Sequence, residues 1–187
     1  MSYLRSFAPW IAFAVVPAGD WKWAALFALA VSLISVILQL KAGQPADALI
    51  LEVGAAVYFA ALAALAFADP KTPLHAYVAC MASGALGLIA CTSLLIGKPF
   101  TLGIAKQSVP REAWDHPLFY RVNVIITSVW AASFVAGCVI LAFLAHSSSA
   151  ARSVVQVAAF VIPLVFTVRY VARARERGQA AAAAATS

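Results

Sequence analysis

The stretch Ala48–Ala68, ALILEVGAAVYFAALAALAFA, decides the fold, because a single acid, Glu52, is its only charge. A helix of that length rises roughly 30 Å at about 1.5 Å per residue, the thickness of a bilayer's hydrocarbon core. At that depth no water is present to satisfy backbone amides, so the run reads as a membrane-spanning helix. Working outward, Gly, Pro and charge divide the chain into six such runs, at 4–18, 21–40, 48–68, 74–96, 118–145 and 152–171. Trp21 and Trp23 stand at the mouth of the second run, where indoles favour the lipid–water boundary. Asp47 is the expected N-cap of the third run, and Pro117 opens the fifth.

Composition agrees with this segmentation. Hydrophobic residues make up 64% of 187 and charged residues 11%, with a mean hydropathy of +0.93. Soluble domains average roughly 45–50% and about 25%, so a soluble fold and a disordered chain are both excluded. Six spans consume roughly 120 residues, which leaves no room for a soluble catalytic domain. The expected fold is all-α, a polytopic integral membrane bundle of about six transmembrane helices with a short first one. It forms one domain over 1–176, with an amphipathic cytoplasmic loop at 97–117 and a disordered tail at 177–187.

The net charge of +6 would suggest nucleic acid in a soluble protein, but in a membrane protein it reports orientation. With six crossings, ten of the thirteen Lys and Arg fall on one side, leaving Lys22, Lys71 and Arg152 on the other. The basic side is cytoplasmic, which places both termini inside. The first run carries Pro9 and Pro17 and falls short of the roughly 17 residues that a span needs. Were it re-entrant, five spans would remain and the N-terminus would move outside. Its Ala12-Phe13-Ala14 lies within the apolar stretch rather than after it, so the segment is read as part of the mature protein and not as a cleaved signal.

Few residues carry chemistry. Glu52 lies roughly 7–8 Å into the third helix from its cytoplasmic end. An acid at a helix centre costs about 2.5–3.5 kcal/mol to insert, so it is either a proton or cation site or is paired with Lys41, Lys98 or Arg121. In the fifth run Asn123, Thr127, Trp130, Phe134 and Gly137 recur at helical steps, and this stripe is expected to face the bundle, as helix packing or as the lining of a ligand pathway. Val122, Ile125, Val129, Ala132 and Ala136 form the opposite, lipid-facing side. Ser83, Gly87 and Cys91 make a small-residue stripe suited to close helix approach and to homo-oligomer contact. Pro163 should free one backbone carbonyl in the sixth helix, which a neighbouring helix must satisfy. The three cysteines read as packing residues, since Cys80 and Cys91 are roughly 16 Å apart along one helix.

The loop holds Lys98, Lys106, Arg111 and Trp114, with Arg121 just beyond. Phe100 and Ile104, one helical turn apart, suggest short helices lying on the cytoplasmic face, held by apolar insertion and anionic lipid, or a protein-docking surface. No HExxH, CxxC, Walker or GxSxG pattern occurs, and the histidines are scattered, so no catalytic residue, metal or cofactor is assigned.

With a short first helix, closely spaced spans, the Gly97-Lys98 loop start and then Pro110, Trp114, Asn123, Trp130 and Phe134, the chain resembles septation protein A-like bacterial inner-membrane proteins. Its Lys98-Pro-Phe-Thr-Leu102 segment is also similar to that of an uncharacterised group of short bacterial membrane proteins. The first resemblance implies a non-enzymatic scaffold that contacts envelope or division membrane proteins in the lipid bilayer. The alternative from the residues themselves is a small ion or metabolite transporter using Glu52 and the Asn123, Thr127, Trp130 stripe.

Overall fold

The computed structural model describes residues 5–16, 18–107 and 109–185, without the side chains of 18, 113, 175 and 177–185. Its helices are α1 (Ala8–Val15), α2 (Trp21–Lys41), α3 (Ile50–Ala68), α4 (Val78–Leu95), α5 (Phe100–Lys106), α6 (Pro117–Phe143) and α7 (Ser149–Ala185). Short 3₁₀ turns precede α2, α3 and α4 and follow α5, and no strand occurs among the described residues. Five helices are long and apolar enough to cross a membrane: Trp21–Lys41, Ala46–Ala68, Pro73–Leu95, Pro117–Phe143 and Ser149–Ala174.

Local sequence explains the boundaries. Gly43 and Gly97 take positive φ, 69° and 70°, just after α2 and α4. In each case the glycine amide and the next one turn back onto the helix, Gly43 to Leu40 and Gln44 to Gln39, Gly97 to Leu94 and Lys98 to Ser93. These are paired glycine C-caps, which satisfy carbonyls that the helix end would otherwise leave bare. Pro117 sits in the first turn of α6, where it loses no hydrogen bond, and the His116 ring accepts from the Leu118 amide at 3.2 Å. Asp47, expected as a cap, makes no such bond: α3 begins after a 3₁₀ turn, and the Asp47 carboxylate pairs with Lys106 instead.

The first run differs from the expected 4–18 helix. Only Ala8–Val15 is a continuous α-helix, eight residues or roughly 12 Å. Val16 is extended at φ −80°, ψ 136°, the conformation that a following proline demands, and residues 4 and 17 lie outside the described set. The segment nevertheless runs along the depth of the bundle. Ser6 meets Gln39 and Glu52 through shared hydrogen bonds at one end, Trp10 stacks on Tyr58 farther along, and Trp21 meets His75 at the other end. Along α2 the distance from Gln39 to Trp21 is roughly 27 Å at 1.5 Å per residue.

Helices α2 and α3 pair side by side, α4 packs along α6, and α7 leans on α6. The α4–α6 contact is tight because a Cβ on Gly87 would meet Val135 at 3.2 Å, and one on Gly84 the Cys138 sulfur at 3.1 Å. Ser83 and Gly87 are therefore occupied by α6 of the same chain, with Cys91 half-buried against the core. On α6 the stripe Asn123, Thr127, Trp130, Phe134 and Gly137 is buried throughout, as its spacing predicts. Exposed apolar faces remain on α2 and α7, including Phe27, Ile34, Val157 and Ile162, and they suit contact with lipid.

One expectation is overturned. The Phe100–Lys106 segment does not insert its apolar side chains into lipid: Phe100 is 3% exposed and Ile104 1%, both packed inside the main core with Leu51, Ile126 and Trp130. The α7 helix is drawn through the alanine run to Ala185, in keeping with alanine's high helix propensity, and 186–187 lie outside the described residues.

Candidate functional site

Glu52 is fully buried in the first turn of α3. Gln39, near the end of α2, donates from Nε2 to Glu52 Oε1 at 2.8 Å, and Ser6 donates from Oγ to the same oxygen at 2.7 Å. Gln107 Nε2 donates to Gln39 Oε1 at 3.0 Å, and Arg5 Nη2 to Gln107 Oε1 at 3.4 Å. Arg5 and Ser6 are consecutive, so the five side chains close a ring that ties the N-terminal segment, α2, α3 and the residue after α5 together. Every donor in it points toward Glu52.

The expected ion pair with Lys41, Lys98 or Arg121 does not form. All three are exposed, while the neutral donors of Ser6 and Gln39 reach the carboxylate. Among the described residues the one ion pair is Lys106 with Asp47, at 2.6 Å. Glu52 Oε2 is buried without a hydrogen-bond partner, and so are Trp10 Nε1 and Tyr58 Oη, whose stacked rings, 5.2 Å apart, continue the seam between α1 and α3. Nothing in local pattern identifies Ser6 or Gln107 as partners. Gln39, the only carboxamide in the second apolar run, was the available signal.

The polar stripe on α6 is spent on packing. Asn123 Nδ2 donates to Phe119 O at 2.8 Å within its own helix. Thr101 of α5 donates to Asn123 O at 3.0 Å, which leaves Thr127 as donor in the 2.7 Å bond between the two threonine hydroxyls. Trp130 Nε1 donates to Thr167 Oγ1 at 3.0 Å, and that hydroxyl donates on to Pro163 O at 2.7 Å. The Trp130 ring stacks on Phe7 at 5.1 Å and meets Phe100, Phe134 and Phe160 edgewise or tilted. The carbonyl that Pro163 frees, Ala159 O, accepts from Ser133 Oγ on α6 at 2.9 Å. Glu52 and this stripe thus belong to two separate hydrogen-bonded networks.

Of the loop candidates, Lys98, Arg111 and Arg121 are exposed. Lys106 is committed to Asp47. Its ammonium and the Arg111 guanidinium lie 5.2 and 5.6 Å from the Trp114 ring, and Trp114 Nε1 donates to Val109 O at 3.0 Å, so these contacts tie the basic and aromatic side chains together. Spacing along one helix did not reveal that Cys80 of α4 and Cys138 of α6 bring their sulfurs within 3.5 Å. No group of three metal-ligating side chains occurs among the described residues. No family model, curated protein or solved structure matches the chain.

Proposed function

We propose that this chain is a non-enzymatic, six-crossing protein of a bacterial cytoplasmic membrane, with both ends inside, that works as a scaffold for envelope or division membrane proteins. The six-crossing count is supported by the ladder from Ser6 at Glu52 to Trp21 at His75, in which a short helix and the turns on either side of it run along the bundle. The scaffold role rests on one observation: Lys98, Arg111 and Arg121 are exposed and basic, with Trp114 half-buried beside Arg111, while Thr127 and Trp130 of the α6 stripe have their polar atoms occupied by neighbouring helices. The resemblance to septation protein A-like proteins points the same way. The test is in-membrane cross-linking with mass spectrometry of Arg111→Glu/Arg121→Glu against the unaltered protein. Loss of cross-links to cell-wall synthesis or division proteins is expected, and an unchanged set of neighbours overturns the reading.

A transporter is the second reading, favoured by the unpartnered Oε2 of Glu52. It requires a flux in reconstituted vesicles that Glu52→Gln abolishes.

A further inference from the structure

We infer that Glu52 is the binding point for a small monovalent cation, a proton or an alkali ion, held at Oε2. The two donors of the ring both end on Oε1, at 2.7 and 2.8 Å, so that oxygen is served and its twin is not. The residue is 0% exposed. A carboxylate taken out of water persists when its charge is matched, and neutral hydrogen bonds alone do not match it.

The surrounding groups do not supply that match. From the N-terminal segment, Arg5 stands two amides away, through Gln107 and Gln39. From α2, Lys41 is exposed at the helix end. From the turn before α3, Asp47 adds a negative charge that Lys106 already neutralises. Within α3 the titratable neighbour along the seam is Tyr58, and α1 contributes Trp10, both with unpartnered polar atoms. One carboxylate with no ion-pair partner among the described residues leaves room for one positive charge. Ser6 Oγ, bonded to Glu52, brings further oxygen lone pairs to the same junction.

The inference is independent of the scaffold reading, because partner cross-linking and cation response are separate measurements. The test uses the full chain in lipid nanodiscs. Thermal melting is compared in sodium chloride and in choline chloride at equal ionic strength and pH. Infrared spectra are recorded across a pH series to follow the carbonyl band of a protonated carboxyl. A sodium-specific rise in melting temperature that Glu52→Gln removes assigns an alkali ion. A protonated-carboxyl band present in the unaltered protein, absent from Glu52→Gln and displaced in Glu52→Asp, assigns a proton. Should Glu52→Gln fail to fold, Glu52→Asp and Ser6→Ala carry the comparison, the first through the band position and the second through a reduced sodium response. Equal melting in both salts together with no carboxyl band attributable to Glu52 overturns the inference.

Discussion

Gly103 is the position at which a single methyl group should do the most damage. A Cβ there would lie 2.5 Å from Ala48 Cα and 2.7 Å from Asp47 O, both backbone atoms, whereas ordinary contacts begin at 3.4 Å. Neither atom can rotate away, so in Gly103→Ala α5 must retreat from the turn before α3 by about 1 Å, an overpacking strain that typically costs about 1–3 kcal/mol. The retreat also pulls on the Lys106–Asp47 pair at 2.6 Å and on buried Phe100 and Ile104, which places the expected loss toward the upper end. Alanine's better helix propensity returns at most about 1 kcal/mol. The assay is thermal or denaturant unfolding of the purified protein in one lipid or detergent system. Gly19→Ala is the control, since a Cβ there meets nothing within 4 Å. Gly103→Ala should unfold at clearly milder conditions than the control. Equal stability of the two variants would refute the claim that α5 is wedged against the backbone of 47–48.

Three further outcomes follow from the packing. Trp130→Phe keeps a ring among Phe7, Phe100 and Phe160 but loses the bond to Thr167, so it should cost roughly 0.5–1.5 kcal/mol, against about 3–5 for Trp130→Ala, and unfolding of the two side by side checks the ordering. Ser133→Ala strips the donor from Ala159 O and should cost about 1 kcal/mol, whereas Ser128→Ala, which breaks only an exposed bond within its own helix, should be near neutral. Copper-phenanthroline treatment of membranes should join Cys80 to Cys138, whose sulfurs are 3.5 Å apart, and mass spectrometry after alkylation should find that link in Cys91→Ser but not in Cys80→Ser or Cys138→Ser.

Much of the architecture is legible in particular residues. The run around Glu52 is long and apolar enough for a span, Gly43 and Gly97 stop helices as glycine does, and helical spacing picks out the buried stripe from Asn123 to Gly137. Pro163 even announces that Ala159 O needs an outside donor, although not that Ser133 provides it. The loop shows where such reading ends. Phe100 and Ile104, one turn apart, mark a face that must be covered, and the same periodicity serves lipid or protein equally; the structure covers it with protein.

The sequence by itself determined that the chain is helical, with few charges and with runs long and apolar enough to cross a membrane, because the cost of an unpaired backbone amide in hydrocarbon leaves long apolar runs one conformation. Where Glu52 finds its partners was decided by the tertiary structure alone. Gln39 is 13 residues from it and Ser6 is 46; the first bond exists because α2 and α3 pack side by side, the second because the N-terminal segment lies along that pair. Hydrogen bonds act over about 3 Å in space and carry no trace along the chain, so a lone acid in an apolar run states a requirement, and only the packed bundle shows how it is met on one oxygen and left open on the other.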